Sequence, residues 1–498
     1  MENNIVLLGP IFFPFAGVII SLLAVRNNRL QRYIGLAAAF AAWVSSLVVL
    51  YQRITTDQIQ VYRIGGWLPP YGIVFVGDML SALFMVMAST VVVCVMLYMV
   101  GCRDKCMSYP AFVPLSLAMI TGLHGTFYTG DIFTMFVFTE LMVMSSVVLV
   151  AVSDNPYGLE AAIKYLLIAA MGTLFMLLGI SAIYATFGTL NMADIARLLA
   201  SGERPILAQA AALMLMCAFM LKSAVFPFHF WQPDFHTVAP TPLHALLSSV
   251  AVKVGIYGII RIITLMFVIE APIIQQTLVI LGLIGIFLGS FSAMRTYDAK
   301  RMLAYSTLSQ VGFILIGIGW GNPIALAGAI IFAFNHAFIK SAMLLLTGLV
   351  ASFTKAKTAK LKDLSGVGYG MKKVNILYFL GALALAGLPP MNGFISKLAL
   401  VEGGVETGEW LVYGLVIGGS ILTLIYTMRA WQLIFQREPS AETAELKDSG
   451  DKPYAPAILI GLCLLLGIYA TPLVMLSTQV VTQLQAPQIY ISAVLGSF

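Results

Sequence analysis

Five ionisable residues, Glu140, Lys222, Lys253, Lys340 and Lys397, sit inside separate, otherwise apolar stretches that are each long enough to cross a membrane. One charged side chain at a helix centre costs roughly 2.5 to 3.5 kcal/mol on insertion scales, so five unpaired ones would cost on the order of 10 kcal/mol or more. Such residues need a bundle interior, with partners or water around them. Intramembrane charge reads by default as an ion or proton path, and five such residues make a row rather than a point.

The rest of the chain agrees with a membrane interior. Of its 498 residues 60% are hydrophobic and 10% charged, with a mean hydropathy of +0.94, against roughly 25% charged in soluble domains. Apolar runs of about 20 residues occur about 14 times. They begin near Ile5, Tyr33, Val74, Pro110, Asp131, Glu160, Leu207, Leu243, Ile273, Arg301, Pro323, Val374, Trp410 and Ala455. The expected fold is therefore an all-α polytopic membrane protein with little chain left for a soluble domain. Glu2, Pro10 and Pro14 in the first run do not suit a cleavable signal peptide. The five cysteines, Cys94, Cys102, Cys106, Cys217 and Cys463, are scattered without paired metal-ligand spacing.

Basic residues concentrate in the loops after the first, third, ninth and eleventh runs: Arg26, Arg29 and Arg32; Arg103 and Lys105; Arg295, Lys300 and Arg301; Lys355, Lys357, Lys360, Lys362, Lys372 and Lys373. The alternate loops hold few, among them Arg53, Arg63, Arg197 and Arg204. The positive-inside rule makes the first set cytoplasmic and puts both termini on the outer side of a cell membrane. The polar loop from Arg437 to Lys452 is then cytoplasmic as well, and reads as a solvated connector.

Two runs are interrupted. The seventh, LMLMCAFMLKSAVFPFHFWQPDF, contains Pro227 and Pro233, and the twelfth, FLGALALAGLPPMNGFISKLAL, contains Gly387, Pro389, Pro390 and Gly393. Proline removes a backbone donor and clashes with the preceding turn, so both helices are expected to break at mid-membrane, with Pro227, Pro389 and Pro390 as the breaking residues. Breaks five runs apart suggest two inverted five-helix repeats, helices 4–8 and 9–13, as in secondary transporters. The chain then divides into 1–108 with the first three helices, 109–267 and 268–436 with the repeats, and 437–498 with the loop, the fourteenth helix and a tail. A proline kink that only improves packing is the alternative for either break alone.

Glu140 has Lys222 as its obvious counter-ion, and a glutamate–lysine pair of changeable spacing lets the lysine take up and release a proton. A static buried salt bridge is the other reading. Lys253 sits among serines and small residues that water could reach. His336 and Lys340, four apart, share a helix face, and the histidine suits a shuttle between lysines. Lys397 would end the row unless it snorkels to a headgroup. Lys164, a turn into the sixth helix, is a candidate for cytoplasmic proton uptake. His229, Asp234, His236 and His244 read as a polar lining or a structural loop, because the intervening prolines break any metal-ligand spacing. His244 is the one expected to bridge Lys222 and Lys253. Asp78 and Asp131, opening the third and fifth helices, read as helix-start residues near the outer surface.

FTELM around Glu140, MLKSAVFPFHFW around Lys222, PTPLHALLSSVAVKVGIYG around Lys253, NHAFIKSAMLLLTG around Lys340 and GLPPMNGFISK around Lys397 together resemble one family. It comprises the proton-translocating antiporter-like subunits of complex I (NADH:quinone oxidoreductase), membrane-bound hydrogenases and Mrp-type multisubunit cation/proton antiporters. The resemblance runs from about Asp78 to Trp431. It departs at Phe228, Phe230 and His244. A lysine at position 397, and a chain that stops soon after the fourteenth helix, are most similar to the D-type subunits of Mrp antiporters; the smallest antiporter-like subunit of complex I or a hydrogenase counterpart is the alternative.

The resemblance implies a transporter subunit rather than an enzyme, with a proton path through Glu140, Lys222, Lys253, His336, Lys340 and Lys397. It also implies partner membrane subunits in a hetero-oligomer, a bacterial type of cell membrane, and coupling to sodium or potassium. No nucleotide loop, haem motif or iron–sulfur pattern is present, so neither cofactor, metal nor nucleic acid is expected.

Overall fold

The computed structural model describes residues 4–152, 156–200, 202, 205–354, 358–439 and 450–496. Arg204, Lys355, Lys357 and residues 440–449 of the polar loop lie outside them. Among the described residues ten helices are long and apolar enough to cross a bilayer, and Tyr454–Ile468 with Thr471–Leu484 meets the same test as a pair bent by 78°. The remaining apolar runs are short or divided: Phe112–Tyr128, Ile206–Lys222, and Lys372–Ala386 followed by Asn392–Thr407. A small antiparallel hairpin, Gln60–Arg63 with Val74–Gly77, stands at the end of Met79–Gly101 away from the basic loop.

Two helices form the centre. The apolar windows of Thr241–Met266 and Pro323–Phe353 are wholly buried, whereas only 28% of those of Asn28–Thr56 and Trp410–Gln436 is. Inner and outer helices are alike in hydropathy, because lipid and protein interior are equally apolar, so close approach at small residues does the sorting. Gly282 and Gly312 show it: a Cβ on Gly282 would come within 2.8 Å of the Gly312 carbonyl, so Ala271–Arg295 and Ala299–Gly319 touch backbone to backbone.

Local features recur at distant points of the chain. Asp131 and Asp298 both cap a helix, accepting from Thr134 N at 2.7 Å and Arg301 N at 2.9 Å, with nearly equal backbone angles (φ −124°, ψ 131° and φ −125°, ψ 128°). Each also forms an isolated antiparallel bridge, to Asn191 and to Lys360. Thr241–Met266 and Trp410–Gln436 both close with a π-turn, Ile262–Met266 and Gln432–Gln436.

The two interruptions share a construction as well. After Lys222, Ala224 adopts a left-handed conformation (φ 52°), with Val225 N donating to Met220 O at 2.9 Å and Ala224 N to Leu221 O at 3.1 Å. After Ala386, Gly387 is left-handed (φ 83°), with Leu388 N donating to Leu383 O at 3.0 Å and Gly387 N to Ala384 O at 3.2 Å. Both are Schellman ends, in which one left-handed residue turns the last orphan carbonyls onto the next two amides. The left-handed residue, not the proline, therefore ends each helix. Pro227 and Pro389 lie beyond it, where a helix cannot resume through them. Pro233 falls in the first turn of the resumed helix Trp231–Val238, where a missing donor is harmless.

Candidate functional site

Lys222 is the last residue of Ile206–Lys222, at the helix end whose dipole favours a cation. Its Nζ lies 3.0 Å from Glu140 Oε1, which also accepts from Thr173 Oγ1 at 2.6 Å. Three helices thus meet at one carboxylate oxygen. The Lys222 side chain is 4% exposed, but that of Glu140 is 23% exposed. Val137 and Met144, about one turn to either side of Glu140, are exposed at 47% and 51%. The carboxylate therefore opens on an outer face of the chain at the middle of a membrane-spanning helix.

The centre of the row is closed. Lys253 is fully buried, and its Nζ sits 2.6 Å from His336 Nδ1. The π-turn Leu247–Ala251 ends two residues before Lys253; such turns are rare and concentrate at functional sites. Lys340 is one turn beyond His336 and 0% exposed, and its Nζ has no hydrogen-bond partner among the described residues. His336 is thus flanked by Lys253 in contact and by Lys340 one turn along its own helix. Three basic groups are therefore buried in one interior.

Lys397 follows the second interruption. Its Nζ donates to Ala386 O at 2.7 Å and lies 5.2 Å from the Phe313 ring centroid. Ala386 is the last residue before the left-handed Gly387, so the lysine reaches back across the gap to a carbonyl the broken helix left open.

The remaining candidates separate into two groups. His236 and His244 stack with ring centroids 4.7 Å apart and interplanar angle 23°, and all four ring nitrogens are buried without a partner among the described residues. His244 does not take the bridging place expected of it. It stacks on His236 instead, and neither of its ring nitrogens has a partner among the described residues. Nine residues of helix separate His244 from Lys253, a rise of about 13 Å toward the basic-loop face, and that arithmetic needs only the sequence. Lys164 and Asp234 line a cavity of about 1610 Å³ on the same face, together with Glu160, Lys300 and Arg301. There Lys164 pairs with Glu160 at 2.6 Å and Asp234 at 3.6 Å, and Arg301 meets Asp234 at 2.9 Å. His229 stacks on Phe226 at 5.7 Å, and its Nδ1 has no partner among the described residues. No group of three or more His, Cys, Asp or Glu among the described residues could hold a metal ion.

Three sets of contacts are not readable in the sequence. Asn335 Nδ2 donates to Ser396 Oγ at 2.9 Å and Asn392 O at 3.2 Å, while Asn392 Nδ2 donates to Asn335 Oδ1 at 3.0 Å. This buried network ties the helix of His336 and Lys340 to the half-helix of Lys397. Asn335 and Asn392 stand inside the quoted motifs, but nothing in a sequence relates them across 57 positions. Thr173, the second partner of Glu140, carries no signal at all. Asp78 caps its helix through Ser81 N at 2.9 Å, as its place at a helix start suggests, but its buried ion pair with Arg261 Nη2 at 2.5 Å, across 183 positions, has no signal in the sequence.

Residues 129–423 match the family described as "NADH:quinone oxidoreductase/Mrp antiporter, TM". The chain is 32% identical over 497 residues to the D-type subunit of the Na(+)/H(+) antiporter of Alkalihalophilus pseudofirmus, covering 99% of each protein. It is also 32% identical over 461 residues to the N-type subunit of the NADH-quinone oxidoreductase of Desulforudis audaxviator, covering 90% of this chain and 91% of that one. In fold it is similar to a chain in the structure of the Mrp complex from Dietzia sp. DQ12-45-1b, with a TM-score of 0.86 and 24% identity over 97% of this chain and 99% of that one.

Proposed function

The chain belongs to the NADH:quinone oxidoreductase/Mrp antiporter transmembrane family, and from that premise we propose that it is the proton-translocating membrane subunit of a multisubunit sodium or potassium/proton antiporter. Protons are held in turn on Lys222, Lys253 and Lys340, with His336 between lysines, and leave near Lys397. The His236–His244 stack supplies the step from the Lys164/Asp234 cavity to Lys340. Neighbouring membrane subunits drive or use the movement, and the part-exposed Glu140 is the group through which one of them acts.

The observation that carries this reading is the cluster of Lys253, His336 and Lys340. Two unit charges 4 Å apart repel by about 4 kcal/mol even at an effective dielectric of 20. Lys253, His336 and Lys340 are buried together, Lys253 touches His336 at 2.6 Å, and no salt bridge to an acid reaches any of the three among the described residues, so adding charge to one works against charge on the next. A proton arriving at one favours departure from another. A static structural salt bridge would instead pair each lysine with an acid.

The recurring features support two inverted repeats. Capping aspartates Asp131 and Asp298, Schellman ends at Ala224 and Gly387, and π-turns at Ile262–Met266 and Gln432–Gln436 follow in the same order in each half. The basic loops lie at opposite ends of corresponding helices, which is consistent with inversion and with cytoplasmic placement of those loops.

The test is proton and sodium exchange in inverted vesicles carrying the whole complex, with Lys222→Ala and Glu140→Ala checked for assembly. Loss of exchange with assembly intact is expected; full exchange in both variants would reduce the chain to a scaffold. The equal identity to a complex I relative favours a second reading, a redox-driven proton pump. Absence of NADH-independent exchange in the wild-type complex would decide for it.

A further inference from the structure

Away from the row, the start of Asn28–Thr56 and the end of Met79–Gly101 enclose a separate cavity of about 650 Å³ on the basic-loop face. Arg29, Arg32, Tyr33, Arg103 and Lys452 line it, and none of the described lining residues is acidic. Arg32 is built into the wall. Its Nη1 donates to Cys102 O at 3.1 Å and its Nη2 to Met107 O at 3.2 Å, while its buried Nε has no partner among the described residues. Carbonyl dipoles orient a guanidinium without neutralising it, so the charge remains for a ligand. Asp451, next to Lys452 in the chain, is engaged elsewhere: Oδ2 accepts from Tyr98 OH at 2.6 Å and Oδ1 from Arg103 N at 2.9 Å.

An apolar surface continues from the same helix. Tyr33, Phe40, Val44, Val48 and Tyr51 recur at helical spacing, and each is exposed by 39% or more. A site with cations at one end and an exposed apolar stripe leading away from it matches an amphiphile with an anionic head. We infer that this cavity binds the phosphate of an anionic phospholipid of the adjoining leaflet, with the acyl chains lying along the stripe. Basic pockets between transmembrane helices recognise such headgroups by charge, and an exposed tyrosine beside the basic cluster, as Tyr33 is, suits an interfacial anchor.

The whole complex, stripped of lipid in neutral detergent, would be titrated with dioleoyl phosphatidylglycerol, dioleoyl phosphatidylcholine and inorganic phosphate, and retention read by native mass spectrometry. The variants are Arg29→Gln/Lys452→Gln, which removes two cations, and Arg29→Lys/Lys452→Arg, which keeps both charges. Phosphatidylglycerol should bind the wild type and the charge-preserving variant at least tenfold better than phosphatidylcholine. The neutralised variant should bind it about thirtyfold more weakly, some fivefold per cation lost. Equal retention of the two lipids by the wild type overturns the inference, and so does unchanged binding in the neutralised variant. Displacement of the bound lipid by millimolar inorganic phosphate would identify a free anion as the ligand and overturn the lipid assignment. The comparison of lipids in wild-type complex decides the matter even where the neutralised variant does not assemble.

Discussion

The two interrupted helices end in the same turn but place their lysines on opposite sides of it. Lys222 precedes its gap and is met by a carboxylate, whereas Lys397 follows its gap and is met by the backbone carbonyl of Ala386. The difference is one of what can change. A carboxylate can exchange one partner for another, and Glu140 is open to whatever covers its face of the chain. A carbonyl dipole is fixed. In the proposed proton path the Lys222 end would therefore be the one set from outside the subunit, while the Lys397 end is held by the subunit's own backbone.

The largest expected effect breaks the first contact. Glu140→Gln leaves the buried Lys222 without its partner, a loss of about 3 to 5 kcal/mol, Lys222→Met leaves the part-exposed Glu140 and should cost less, and both should abolish exchange in vesicles. The double substitution should recover most of the lost thermal stability of the purified complex, though not the exchange. If each single variant is as stable as the wild type, the pair is not a closed ion pair. At the other end, Lys397→Met should cost about 1 to 3 kcal/mol, because it leaves the Ala386 carbonyl unpaired. No second substitution at a titratable residue should rescue it, and a rescue found in a thermal-stability screen would show that this end also depends on a charge.

Next in size is the buried amide network. Asn335→Leu should leave the side chain of Asn392 unsatisfied and cost about 1 to 3 kcal/mol. Exchange by that variant should fall while assembly of the complex, checked by native gel, stays as before. The smallest pair of effects has opposite signs. Ala224→Gly should stabilise by about 1 kcal/mol, since a left-handed alanine is strained. Gly387→Ala should destabilise by about 1 to 2 kcal/mol and depress exchange, because its methyl would run into Lys397 Cδ. Equal melting shifts at the two positions would mean that the two turns are not interchangeable parts.

Hydropathy and charge are properties of a single stretch of chain, which is why the spans and the members of the row are legible in the sequence. Gly387 and the prolines likewise mark an interruption locally. Partnership is not local. Glu140 and Lys222 can be matched by charge alone, but a lysine whose acceptor is a peptide carbonyl leaves no trace in composition, so Lys397 reads as one more free member. That Lys340 lacks a partner among the described residues depends on every helix around it. Chain order misplaces His244, where counting helical rise moves it toward the cavity. Ala224 gives no warning, because left-handed backbone is expected of glycine.

The π-turn at Leu247–Ala251 has a consequence for how this chain tolerates insertions and deletions. A π-turn holds one residue more than a regular turn needs, and one residue is worth about 100° of rotation. Removing any residue from 247 to 251 would let the helix wind evenly and would swing everything after it against everything before it. Lys253 would then turn away from His336 while the stack of His236 and His244 stayed in place. The reading frame of this helix, more than the identity of the residues in its wide turn, fixes which way its lysine points.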